Sequence, residues 1–338
     1  MPVNATIFAD GNREIGLGHF YRMRTLLRRL GGEVLLLTRT PDQAAKVFDG
    51  CGAKVHAISS KEAISRCINE IRPSSPLVIL DPPYVPSNPG SRSGPAWRST
   101  VEELKRQELR VVMFTDEEQP TPHRCDLLIN DHPESGTFGS AYREAGLTGS
   151  MLLGGKYFLI DPDHEIATPR DGGLFVSVGG GDQMGLLSRF REVFIALSKE
   201  MPTQLVVGPI SPSELQDFKG MDVHRTLTPN RFASGMARAR LAVTASGNTL
   251  FERIFHGTPG ISVAQSPHQE TMGRAFEAQG VTRHLGLGES VSPSRLFDEV
   301  VALSKDDATL AAQTAAAKEI DIVGGCKSIV RCIEELRT

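Results

Sequence analysis

The 338-residue chain carries 37 basic and 40 acidic side chains, a net charge of −3, and 40 % hydrophobic residues. That balance fits a soluble globular protein long enough for two cores, and the missing basic surplus argues against nucleic acid as partner. Five cysteines without a C-x-x-C pair, no export signal in the first ten residues and no apolar run of roughly 20 residues predict a cytoplasmic protein with reduced thiols and no membrane partner.

The first strand is predicted at Ala5–Ala9, followed by a polar, Gly-containing loop from Asp10 to Gly18. Phe20, Met23, Leu26, Leu27 and Leu30 then fall on one helical stripe, and Glu33–Leu37 reads as a buried strand. Further strands are expected at Lys54–Ala57, Leu77–Leu80, Arg110–Phe114 and Asp126–Ile129. Five prolines between Pro82 and Trp97 predict a long surface loop there. A second series has strands at Leu174–Val178, Gln204–Val207, Leu241–Thr244 and Gly260–Val263, and a helical pattern from Pro293 onward. The Pro-, Asp- and Gly-rich segment 161–172 is the expected linker between an N-terminal domain, 1–160, and a C-terminal domain, 173–338. The predicted fold is α/β, two Rossmann-like doubly wound domains facing a cleft, with the ligand in that cleft.

Candidate chemistry lies in the turns that follow strands. Gly16-Leu17-Gly18-His19 offers glycines for close backbone approach and a histidine at a helix start. Spacing alone leaves His19 open between a reacting group and a plain helix-start residue, because Tyr21 stands where a dinucleotide fingerprint needs a small residue. Gly179-Gly180-Gly181-Asp182 suits a diphosphate cradled by backbone N–H groups, or simply a tight turn, and it lacks a P-loop lysine. Ser246, Gly247 and Asn248 are candidate helix caps and phosphate donors, with Glu252 one turn further on as a ribose acceptor or a helix-dipole acid. His268 and Gln269 are candidate sugar or diphosphate contacts, with a solvent-exposed loop histidine as the equal alternative for His268. Asp81 and Tyr84 follow the fourth strand as an orienting carboxylate and a hydrogen-bond donor, and Asp116-Glu117-Glu118 reads as a solvated acidic loop. No His-x-x-x-His spacing or G-x-S-x-G elbow occurs, so neither a metal nor a serine nucleophile is expected.

In their order these blocks resemble the UDP-2,4-diacetamido-2,4,6-trideoxy-β-L-altropyranose hydrolases of pseudaminic acid biosynthesis. The resemblance is carried by Phe8-x-Asp10, Ile15-Gly16-x-Gly18-His19-x-x-Arg22, Phe114-Thr115-Asp116-Glu117 and Cys125-Asp126-Leu127-Leu128-Ile129-Asn130. It continues in Gly154–Ile160, Val178–Asp182 and Ala245–Glu252. It implies a glycosyltransferase-B-like fold in which the C-terminal domain holds UDP and the N-terminal domain holds the amino sugar. Water would attack the anomeric carbon with inversion, His19 would take its proton, and UDP would leave without a metal or other cofactor.

The same resemblance makes Gly16, Gly18 and Arg22 substrate contacts and Glu252 the ribose ligand. Two departures fall on the sugar side: His268-Gln269 replaces an Asn-Gln pair, and Asp81-Pro82-Pro83-Tyr84 with its proline-rich extension replaces a short Asp-His-Tyr-type turn. A UDP-sugar glycosyltransferase on the same scaffold is the alternative, and a binding module that has lost catalysis is a third reading. The expected partners are a UDP-sugar and water, and the expected state is a monomer.

Overall fold

A computed structural model describes residues 4–59, 64–71, 75–83, 95–117, 124–162, 170 and 172–336. The chain forms two compact units, residues 1–159 together with 322–338, and residues 160–321.

The N-terminal unit holds seven parallel strands: β1 (Ala5–Ala9), β2 (Val34–Thr38), β3 (Ala53–Ala57), β4 (Leu77–Asp81), β5 (Arg110–Thr115), β6 (Leu127–Asn130) and β7 (Ser150–Leu153). Their order is β3-β2-β1-β4-β5-β6-β7. Helices α1 (Gly18–Leu30), α2 (Pro41–Val47), α3 (Ile64–Ile71), α4 (Pro95–Arg106) and α5 (Gly139–Glu144) connect them. In α1 the predicted stripe of Phe20, Met23, Leu26, Leu27 and Leu30 is buried. The helix stops at Gly31, whose φ of 65° lets its N–H return to the Leu27 carbonyl. Phe8, Val78, Leu80, Val111, Met113 and Leu128 pack with Trp97, Val101 and Leu104 of α4 in one core. The predicted Pro82–Trp97 loop is therefore too long at its far end. Pro95–Trp97 open α4, and Trp97 stacks on Phe8 with ring centroids 5.3 Å apart. Residues 84–94 of that segment lie outside the described residues.

The C-terminal unit has six parallel strands: β8 (Leu174–Ser177), β9 (Thr203–Val207), β10 (Asp222–Arg225), β11 (Leu241–Ala245), β12 (Gly260–Ala264) and β13 (Arg283–Leu287). The order is β10-β9-β8-β11-β12-β13. Its helices are α6 (Leu186–Arg189), α7 (Arg191–Glu200), α8 (Pro229–Arg238), α9 (Asn248–Phe255), α10 (Pro267–Ala278), α11 (Pro293–Ser304) and α12 (Asp307–Lys318). Val176, Leu205, Val243 and Ile261 pack against Phe190, Phe194, Leu296 and Val300 to form its core. Among the described residues no helix is long and apolar enough to cross a membrane.

The last helix, α13 (Ile322–Glu335), departs from the expected domain 173–338, because it belongs to the N-terminal unit. It packs on α1, on β6 and on the short turn Gly155–Tyr157. Gly325 makes this possible: a Cβ there would overlap the Lys156 carbonyl oxygen. The helical pattern after Pro293 marks this element correctly but carries no sign of which core receives it. Gly→Ala inside a helix ordinarily stabilises by up to about 1 kcal/mol. At this position Gly325→Ala should instead lower the unfolding free energy by about 1–3 kcal/mol in urea titration, because the methyl group forces the helix off its seat. A gain in stability would mean that α13 does not dock there.

Candidate functional site

Each sheet has one place where the chain reverses the direction in which it adds strands, between β1 and β4 in one unit and between β8 and β11 in the other. Outside the carboxyl ends of such strands an open α/β sheet leaves a crevice between diverging loops, where ligands bind. The predicted motifs fall at these two places.

In the N-terminal unit the turn after β1 is folded by its own side chains. Asn12 Oδ1 accepts from the N–H groups of Glu14 and Ile15, both at 2.9 Å, and Gly16 N–H closes on the Asn12 carbonyl at 2.7 Å. Gly16 supplies the φ of 84° that the closure needs. Gly18 then starts α1 and sets His19 and Arg22 three residues apart, on one side of the helix. Both point inward, at 7 % and 5 % exposure.

They meet Asp81, the last residue of β4, which is fully buried. His19 Nδ1 lies 2.8 Å from Asp81 Oδ1, and Arg22 Nε donates to Asp81 Oδ2 at 3.0 Å. Arg22 Nη2 also donates to Asp81 Oδ1, and Arg22 Nη1 donates to Asp131 Oδ2 at 3.2 Å. The guanidinium carbon stands 5.6 Å from the centre of the Phe114 ring. Burial by itself raises the Asp81 pKa, but Arg22 and His19 overcome this and hold it well below the usual carboxylate range. For Arg22, burial works downward and the charges of Asp81 and Asp131 carry the guanidinium above its ordinary value. Asp81 is thus ionised and can only accept, so His19 Nδ1 carries the proton of this bond and Nε2 is the ring nitrogen whose protonation can change. A carboxylate-held imidazole is an arrangement that can serve as a general base.

The expected residues therefore sort themselves. His19 and Asp81 come together, while Arg22, expected to touch substrate, commits its guanidinium to two buried carboxylates. Tyr84 and Glu118 lie outside the described residues. Asp116 and Glu117 are half-buried rather than solvated. Asp10 of the motif accepts from Thr38 Oγ1 and from the Arg39 backbone, tying β1 to the turn after β2. Asp131 was not singled out by its sequence, although the signal that marked Asp81, an acid directly after a buried strand, applies equally to it.

In the C-terminal unit three turns adjoin one another at the ends of β8, β11 and β12. Gly179 has a φ of 87°, and among the described residues the N–H groups of Gly180 and Gly181 donate to no protein acceptor. Such a run of free N–H groups is what an anion-binding turn presents. Asp182 plays a different part, because its carboxylate accepts from the N–H groups of Leu186 and Leu187 at 2.6 and 3.2 Å and starts α6. Gln265, also missed as a site residue, clips the turns together through Nε2 to the Val178 carbonyl at 2.7 Å. Gln269 Oε1 accepts from Gln265 N–H at 3.0 Å, and a Cβ on Gly247 would stand 3.1 Å from Gln269 Nε2. His268 is half-buried at the start of α10.

Ser246 corrects the expectation of a cap and phosphate donor. It is fully buried with Oγ 3.4 Å from His284 Nδ1, and Gly247, not Ser246, stands at the N-cap of α9. Gly247 and Asn248 remain partly open to solvent. Glu252, one turn into α9, is partly buried; burial, with the nearby Asp161 charge, pushes its carboxyl up to about 8. Among the described residues no three His, Cys, Asp or Glu side chains converge as a metal site would require.

No protein-family model matches the chain. Over 314 residues it is 23 % identical to the spore coat polysaccharide biosynthesis protein SpsG of Bacillus subtilis (strain 168), covering 86 % of each protein. The solved structure of the glycotransferase of kitacinnamycin superposes with a TM-score of 0.66 at 16 % identity, over 100 % of both chains. The structure of LpCGTa in complex with UDP gives a TM-score of 0.66 at 14 % identity, over 98 % of this chain and 99 % of that one. The fold is that of the glycosyltransferase-B structures.

The raised Glu252 pKa has a consequence for stability. Between its ordinary value near 4.5 and about 8 the folded chain keeps a proton that the unfolded chain has lost. The folded state binds more protons in this window, so the term weakens folding as pH rises through it. Glu252→Gln removes the term, and the stability difference between variant and parent should grow in the variant's favour from about pH 5 to about pH 8. A difference independent of pH in thermal melts would show that Glu252 titrates normally.

Proposed function

We propose that the chain is a UDP-sugar hydrolase that releases UDP and the free sugar from a UDP-activated, di-N-acetylated trideoxy amino sugar, in nonulosonic (pseudaminic-type) acid biosynthesis. The observation that carries this reading is the His19–Asp81 pair, a base with a fixed tautomer standing at the switch point of the N-terminal sheet. Support comes from the glycosyltransferase-B fold, from the UDP bound by LpCGTa, and from the similarity to a protein named for polysaccharide biosynthesis.

In this reading the C-terminal unit binds the nucleotide. Gly180 and Gly181 direct N–H groups to the diphosphate, Gly247 and Asn248 add donors at the start of α9, and Glu252 accepts from the ribose hydroxyls. His268 and Gln269 touch the diphosphate or the sugar. His19 Nε2 accepts a proton from water as the oxygen attacks the anomeric carbon. The bond from that carbon to the diphosphate oxygen breaks, its electrons leave with UDP, and the configuration inverts. Asp81 stabilises the imidazolium through Nδ1–H, a charge-assisted bond that strengthens as the proton arrives. Residues 1–160 supply this chemistry, helped by α13 behind α1, and neither a metal nor a cofactor takes part.

A glycosyltransferase is the second reading, favoured by the transferases among its structural neighbours. Incubation with UDP-activated amino sugars in water, followed by NMR of UDP and free sugar, separates the two. Release of both without an acceptor supports hydrolysis, whereas strict dependence on an acceptor rejects it. Lack of turnover on every di-N-acetylated trideoxy sugar removes the substrate assignment. His19→Ala should lower kcat by about 10²–10⁴-fold while leaving the Kd for UDP unchanged. Asp81→Asn should cost up to about 10⁴-fold, because an amide there can hold the ring in the wrong tautomer. Full activity in His19→Ala would remove the assigned base.

A further inference from the structure

The charges strung through the N-terminal site share their partners. Asp81 faces both His19 and Arg22, and Arg22 faces both Asp81 and Asp131. Two carboxylates thus share one guanidinium, all of them at most 5 % exposed. When His19 takes a proton, imidazolium and guanidinium both draw on Asp81, and Asp131 takes up part of the charge of Arg22. Without the charge of Asp131, the guanidinium of Arg22 would lean more heavily on Asp81. An imidazolium whose Nδ1 lies 3.3 Å from Arg22 Nη2 would then compete with that guanidinium for one carboxylate.

We infer that Asp131 is a positioning residue for the base chemistry of His19, drawing the guanidinium charge of Arg22 toward itself so that Asp81 can stabilise the imidazolium. The inference rests on the reading of His19 as a base.

The backbone fixes Asp131 in this position. Its N–H donates to the Thr115 carbonyl at 3.3 Å, and the preceding Asn130 is locked by Nδ2 to the Glu117 carbonyl at 2.9 Å and to Tyr142 Oη at 3.0 Å. Asn130 Oδ1 in turn accepts from His132 N–H at 2.9 Å. The carboxylate is therefore presented by a braced turn. Among the described residues, the elements around the cluster also carry Asp10 at the end of β1, which takes Arg39 at 3.3 Å, the half-buried Asp116 and Glu117 after β5, the buried His132 beside Asp131, and Arg24, Arg28 and Arg29 of α1. None of these accepts from Arg22 in the way Asp131 does.

The test is an NMR titration of the His19 ring in the full-length chain without substrate, with the resonance assigned by its loss in His19→Gln. Asp131→Asn should lower the His19 pKa by about one unit, and Asp131→Glu should restore it toward the parent value. In turnover assays the acid limb of kcat/KM should move down by the same amount while KM stays within about twofold of the parent. A folded Asp131→Asn protein whose His19 pKa is unchanged or raised overturns the inference. If that variant does not fold, Arg22→Gln/Asp131→Asn removes both charges and keeps a hydrogen-bonded pair. There His19 should titrate at or above the parent value, and a lower value overturns the inference. The titration needs no turnover, so failure of the proposed hydrolysis and failure of this charge role give separate signals.

Discussion

A carboxylate without water is the constraint around which the N-terminal site is arranged. Asp81 stands at the end of a buried central strand with no exposed surface, and an isolated charge there would cost far more than the fold could offset. Arg22 and His19 provide the compensation, and Asp131 compensates Arg22 in turn. Arg253 shows what happens without such partners. It is equally buried, among the described residues its Nη1 reaches the Ala242 carbonyl at 3.4 Å, and burial pulls its guanidinium down to about 9. Two arginines at the same depth thus move in opposite directions, and the difference is the carboxylates.

The second constraint is topological. A parallel sheet must route every connection over its faces, and the reversal of winding after β3 and after β10 opens one crevice per unit. Both candidate sites use it, but in different materials. The N-terminal site presents side-chain charges fixed by ion pairs. The C-terminal site presents backbone N–H groups on a glycine turn, with Gln265 and Gln269 holding neighbouring turns in register. Gly208 shows how closely that turn is packed, since a Cβ there would collide with the carbonyls of Gly179 and Gly180.

What the sequence revealed follows from how strongly each element is constrained. The central strands are near-continuous apolar runs because both faces are covered, and all of them were legible. The strands that escaped detection, β7, β10 and β13, are all at sheet edges, where sequences such as Asp-Val-His-Arg satisfy one neighbour and solvent together. His19 and Asp81 were legible because the turn after a strand is a restricted address. The pairing of Arg22 with Asp131 was not, since 109 residues separate them and only the register of β6 beside β5 brings Asp131 near. Ser246 was misjudged for a related reason: a serine before a helix reads as a cap, and nothing local announces that His284, 38 residues later, will take its hydroxyl inward.

The destination of α13 also bears on how the chain is made. The C-terminal unit is one uninterrupted stretch, residues 160–321, and every strand and helix it needs is present before residue 322 is synthesised. The N-terminal unit begins first and closes last, because the surface formed by α1, β6 and the Gly155–Tyr157 turn waits uncovered until α13 emerges. During synthesis the later domain can mature while the earlier one still shows bare apolar surface to the ribosome exit and its chaperones.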